Sequence, residues 1–159
     1  MIPFAPIRVP VLSPHLPEKD PDRHLASRPW IQFFLALRDA IEPEETVALA
    51  GQAADVAATT LVVAPPSPPQ TLYRVAWYVR VTTAASVSSS VQVTVGWTDG
   101  GVVQSTSGAA LTGNTTTTQE SGSVLVSADA ETDVTYAVAY TSVGTDMAYA
   151  LSVVVEAIP

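Results

Sequence analysis

From Thr46 onward, apolar residues recur at every second position. Tyr73, Val75, Trp77, Val79 and Val81 alternate with Arg74, Ala76, Tyr78 and Arg80 in the clearest run. Val91, Val93, Val95 and Trp97 repeat the rhythm, as do Val124 and Val126, and then Val134, Tyr136, Val138 and Tyr140. Met147, Tyr149, Leu151, Val153 and Val155 close the series. Successive side chains of a strand point to opposite faces, so this period of two predicts strands with the named residues turned toward a core. Residues 47–50 and 56–63 read as two further strands. Thr98-Asp99-Gly100-Gly101-Val102 reads as a hairpin turn, because Asp-Gly and Gly-Gly tolerate the positive φ such turns need. Residues 86–90 and 105–123 are rich in Ser, Thr and Gly and read as polar loops. Seven or eight short strands with no helical pattern between them predict a mainly β fold, an antiparallel, jelly-roll-like β-sandwich over residues 44–159.

Before residue 44 the pattern changes twice. Residues 29–41, PWIQFFLALRDAI, carry a helical stripe of Trp30, Phe34, Leu37 and Ile41, widened by Phe33. Pro29 suits the first helical position and Pro43 ends the segment, so the helix is expected within residues 29–43. Ile31 and Leu35 spread apolar surface round the cylinder, leaving only Gln32, Arg38 and Asp39 clearly polar. A helix apolar on most sides must be covered on more than one of them, and a single sheet covers one. The pattern therefore predicts a bundle built from several copies, with Trp30, Phe33, Phe34, Leu37 and Ile41 as the oligomerisation residues.

Residues 1–28 hold a proline every three to four positions, which excludes both a helix and a central strand. The spacers include Ile2, Phe4, Ile7, Val9, Val11 and Leu12, whereas a flexible linker would carry Ser, Gly and charge. An extended, apolar, proline-stiffened arm has little chain entropy left to lose on docking into a neighbour. It is read as an anchoring arm, the alternative being that it folds back over its own domain.

Composition narrows the function classes. The 159 residues contain no cysteine, which excludes disulfides and thiolate chemistry and suits assembly in a reducing cytoplasm. Seven basic residues against fifteen acidic ones give a formal charge of -8, a poor match to nucleic acid. No apolar run approaches the ~20 residues that span a bilayer, and MIPFAPIRVPVL lacks the features of a signal peptide. Neither nucleic acid nor membrane is expected as a partner. The charge is uneven: no Lys or Arg follows Arg80, while five of the seven basic residues lie between Arg8 and Arg38.

Candidate chemistry is sparse. Both histidines, His15 and His24, fall in the proline-rich arm, where a pairing with Asp20 or Asp22 lacks the rigid site a catalytic base requires. No Gly-x-Ser-x-Gly elbow or phosphate-binding glycine loop occurs, so no catalytic, cofactor-binding or metal residues are assigned and no cofactor is expected. Asp129, Glu131 and Asp133 alternate in a way that would let three carboxylates approach a Ca²⁺ ion, although acidic residues are common in β-turns. Trp77 and Trp97 are assigned to the core faces. Tyr78 lies on the opposite face between Arg74 and Arg80, a trio that reads either as a contact patch for an acidic partner or neighbouring subunit, or as an ordinary snorkelling surface.

Two long stretches, LYRVAWYVRVTTAASVSSSVQVTVGWTDGG and TTTTQESGSVLVSADAETDVTYAVAYTSVGTDMAYALSVVVE, resemble small virion structural proteins of tailed bacteriophages. RPWIQFFLALRDAI is similar to the tryptophan-led helix that precedes β-domains in phage fibre, spike and decoration proteins. The resemblance implies a trimeric, non-enzymatic virion component assembled in the host cytoplasm. The expected function is a capsid decoration or head-spike protein, with a tail-fibre or baseplate subunit and a carbohydrate-binding module as alternatives. The expected partners are further copies of the chain, then a major capsid, neck or tail protein, with a host-surface glycan as a further candidate.

Overall fold

The computed structural model describes residues 31–35 and 44–158. The chain divides into two units, Met1–Glu42 and Pro43–Pro159. In the first, residues 31–35 form a short helix, α1.

The second unit is built from nine strands: β1 (Glu45–Gln52), β2 (Val56–Val63), β3 (Gln70–Thr83), β4 (Ser88–Asp99), β5 (Val102–Ser107), β6 (Leu111–Thr112), β7 (Gln119–Asp129), β8 (Asp133–Val143) and β9 (Ala148–Ile158). One sheet has the order β1-β9-β3-β7 and the other β2-β8-β4-β5, with β6 also paired to β4. Every pairing is antiparallel. Successive strands thus alternate between sheets for most of the chain, which is jelly-roll topology and the fold class expected above.

The alternation places the core. Tyr73, Val75, Trp77, Val79 and Val81 of β3 face inward with Val126, Ala128, Tyr149, Leu151, Val153 and Val155 from the same sheet. Val91, Val93, Val95, Val134, Tyr136 and Val138 meet them from the opposite sheet. Branched valine suits this layer because its stiff side chain packs well on a pleated surface. Each large side chain so buried contributes ~1.5–3 kcal/mol. Met147, fully buried, sits just before β9 begins.

Two details differ from the sequence reading. The polar stretch at 86–90 is not wholly loop, since β4 begins at Ser88 and Ser89 is buried against Asn114, whose Oδ1 accepts the Ser89 hydroxyl at 3.2 Å. The stretch at 105–123 likewise contains the end of β5, all of β6 and the start of β7. Ser and Thr hide strand periodicity there because their hydroxyls suit either face.

Antiparallel connection gathers the turns at two ends. The links 63–70, 99–102 and 129–133 lie at the end where the chain enters β1, and Glu44 donates its amide to Val155 there at 2.9 Å. The links 52–56, 83–88, 112–119 and 143–148 lie at the opposite end.

Candidate functional site

Of the residues singled out in the sequence, Ile2, Phe4, Ile7, Val9, Val11, Leu12, Trp30, Leu37 and Ile41 lie outside the described residues, as do both histidines. Within α1, Ile31 and Leu35 are each 45% exposed and Phe34 is 55% exposed. Phe33 is half-buried, its ring edge-on to that of Phe34 at 5.6 Å. Three of the five described helical residues thus present large apolar surface.

Arg74, Tyr78 and Arg80 share the outer face of the β1-β9-β3-β7 sheet, alternating with the core residues of β3. They do not act as a trio. Glu156 lies directly opposite Arg74 on β9 and takes its guanidinium in an ion pair through both Nε and Nη2. The Tyr78 hydroxyl donates to Oε1 of Gln119 at 2.6 Å. Arg80, exposed and flanked by Ala150 and Gln119, is the cation left for an outside contact among the described residues. Away from Gln70 and Asp129 at the strand ends, the rest of this face is mostly small or apolar: Thr46, Ala48, Ala76, Ser121, Ser123, Ala150, Ser152 and Val154, with Leu72 and Leu125 standing exposed.

Acidic residues concentrate elsewhere. Of ten carboxylates in residues 44–158, seven (Glu44, Glu45, Asp99, Asp129, Glu131, Asp133 and Glu156) lie toward the end where the chain enters β1. Asp129 is fully engaged: Oδ1 accepts from the Gly100 amide at 3.0 Å and from Gln70 Nε2 at 3.2 Å, while Oδ2 accepts the Gly101 amide at 2.7 Å. Gln70 Nε2 also reaches Oδ1 of Asp99 at 2.9 Å. These donors, the Gly101 amide foremost, hold the Asp129 carboxyl below its ordinary pKa. Gly100 and Gly101 adopt φ of 58° and 75°, so the expected hairpin is present and its turn amides point at Asp129. The three alternate carboxylates do not converge: Asp129 clasps the hairpin, whereas Asp133 accepts the Thr60 hydroxyl at 3.1 Å. No group of three or more His, Cys, Asp or Glu among the described residues is placed to hold a metal ion.

A shallow, open depression of about 410 Å³ marks the outer face of the second sheet, lined by Gly96, Trp97, Thr98, Val103, Glu131, Asp133 and Thr135. Gly96 is required at its floor, because a Cβ there would lie 2.9 Å from Oγ1 of Thr135. Glu131 stands at the rim in a left-handed conformation, φ 59°. The lining offers hydroxyls and carboxylates that accept hydrogen bonds, beside the 81%-exposed Val103. Chemically this is a mixed surface, part polar and part apolar. Sequence spacing could not reveal it, since it joins β4, β5, β8 and the turn before β8.

Compared with known proteins, the chain matches no family model and no curated protein.

Proposed function

We propose that the protein is a non-enzymatic structural component of a tailed-bacteriophage virion, a capsid decoration or head-spike protein. In this reading residues 1–28 anchor it to a capsid, neck or tail protein, α1 gathers copies into a trimer, and the sandwich is displayed to solvent. The observation that carries the reading is the pairing of two features in one chain: a jelly roll, a fold used widely in viral shells, and a helix whose Ile31 and Leu35 stand exposed. The resemblance of residues 27–158 to small phage virion proteins supports it.

Mass spectrometry of purified virions tests the proposal. Hundreds of copies per particle fit a capsid protein, a handful fit a tail-fibre or baseplate subunit, and absence from particles defeats both. The depression around Gly96 favours a second reading, a carbohydrate-binding module, because hydroxyl and carboxylate acceptors beside an indole and an exposed valine suit a sugar. Glycan-array binding that is lost on Glu131→Ala and Asp133→Ala would favour that module.

A further inference from the structure

A sandwich has four edge strands, and here they fall into two unlike pairs. On one flank β1 and β2 are both irregular: the β1–β9 register shifts between Leu49 and Gln52, and the β2–β8 register shifts twice, between Val56 and Thr59 and between Thr60 and Val62. Such bulges twist an edge away from new partners, and Glu45 and Asp55 add charge at that flank. On the other flank β7 pairs with β3 through eleven consecutive positions, Gln70↔Asp129 to Arg80↔Gln119, without a shift. β5 pairs with β4 through six, Thr94↔Ser107 to Asp99↔Val102, also without a shift. Neither strand contains proline. Among the described residues this flank has no bulge and no proline, and its one inward-pointing charge is Glu120.

Its charge is equally distinctive. In a chain of formal charge -8, positions 100–119 and 121–128 carry no charged residue. The two acids of β7 are both engaged within the chain: Glu120 is turned inward onto the Trp77 indole nitrogen at 2.7 Å, and Asp129, at the end of the strand, accepts the Gly100 and Gly101 amides. Two copies of so acidic a sandwich repel one another across most of their surface, but not across this flank. A cationic partner would find no charge between Ser121 and Ala128 to attract it. The side chains beside the edge are Ser121, Ser123, Leu125 and Ser127, small enough to let backbones meet, with Leu125 60% exposed.

We infer that β7 is a strand-pairing edge whose occupant is β7 of a second copy. Antiparallel pairing about a two-fold axis would join the two β1-β9-β3-β7 sheets into one of eight strands and cover Leu125. An eight-residue strand pair is only ~27 Å long, so the contact sits at the low end of specific interfaces and is weak for isolated chains. It acts where copies are already concentrated. The inference does not rest on the virion reading.

The cysteine-free chain permits a clean test. Ser121→Cys, Ser123→Cys, Leu125→Cys and Ser127→Cys are made singly in the full chain, with Thr46→Cys on β1 for comparison. All five positions are exposed or half-buried, and thermal melts confirm folding. Each variant, alone and in equimolar pairs, is oxidised with glutathione at high protein concentration. Paired strands bring opposing Cα atoms to ~4.5–5.5 Å, within disulfide reach. One β7 position, or one mixed β7 pair, is therefore expected to link at least ten-fold faster than Thr46→Cys. Adding Leu125→Lys to a linking Ser121 or Ser123 variant should cut that rate at least ten-fold. Hydrogen exchange of the 121–125 amides should slow as protein concentration rises. Cross-linking no faster than Thr46→Cys, or exchange on β7 independent of concentration, overturns the inference.

Discussion

The indole nitrogen of Trp77 donates to Oε2 of Glu120 at 2.7 Å, and the ring lies over Gly122, its direct cross-strand partner. A Cβ on Gly122 would fall 2.1 Å from Cζ2 of Trp77, and one on Gly108 would fall 2.8 Å from Oε1 of Glu120. The tryptophan is thus held between two glycines and a carboxylate at the border of β7. Gly122→Ala should cost ~1–3 kcal/mol by overpacking. Glu120→Ala should cost ~1–3 kcal/mol by orphaning a buried donor. Because both act on one ring, the double variant should fall short of the sum. Urea unfolding followed by tryptophan fluorescence measures all three, and strict additivity would argue against a shared cradle.

Acid should release the clasp on the β4–β5 hairpin. The Asp129 carboxyl is held below its ordinary value of 3.8, so its contribution to stability is complete above that value. It is lost as pH falls through the lower folded-state value, where the unfolded chain already holds its proton. Asp129→Asn should therefore flatten the acid limb of melting temperature against pH below the carboxyl's ordinary value of 3.8. Parallel acid limbs for the two proteins would show that the clasp contributes nothing to the titration.

Alkali probes the opposite end of the core. Tyr149 is pushed up to about 12, by burial first and by the Asp55 charge second, and its hydroxyl donates to the Ala54 carbonyl at 2.9 Å. A raised tyrosine pKa favours the neutral form, so the stability it confers is whole below pH ~10 and fades as pH climbs through about 12. Spectrophotometric titration should find one of the five tyrosines ionising well after the others. Tyr149→Phe should remove that late step, soften the alkaline limb, and cost ~1 kcal/mol at neutral pH through the lost hydrogen bond. Persistence of the late step in the variant would assign it to another tyrosine.

The helix supplies the oligomerisation test. If copies pack through α1, Phe34→Asp places an unpaired charge in the bundle at a cost of several kcal/mol. Light scattering should report a trimer for the unaltered chain and a monomer for the variant, with the sandwich melt unchanged. A monomeric unaltered chain would end the bundle proposal.

Much of the fold was legible because the period-two pattern states which face each residue occupies. Every core position named from β3, and those of Val91, Val93, Val95, Val126, Val134, Tyr136, Val138, Tyr149, Leu151, Val153 and Val155, is buried. Trp97, Val124 and Tyr140 are only half-buried, lying where the sheets end or meet an edge, and alternation carries no information about distance from an edge. Pairing partners were not legible at all. Nothing in the spacing links Arg74 to Glu156, 82 residues on, and that contact decides whether Arg74 is available to a partner. The glycines did carry a signal: Gly96 and Gly122 interrupt otherwise regular strands, and an isolated strand glycine marks a close approach. What approaches, a threonine hydroxyl in one case and an indole in the other, required the register.

The entry into β1 and the exit from β9 lie at the same end, on neighbouring antiparallel strands whose register begins at Glu45↔Val155. Bonds between such strands run perpendicular to them. A pull applied between Glu44 and Ile158 therefore opens the β1–β9 bonds one at a time, like a zipper, and needs little force. A pull between Glu44 and the distant 143–148 turn runs along the strands and loads all of those bonds together. The sandwich is mechanically anisotropic: tethered at its entry and dragged by its far loops it resists, whereas separation of its two ends peels it.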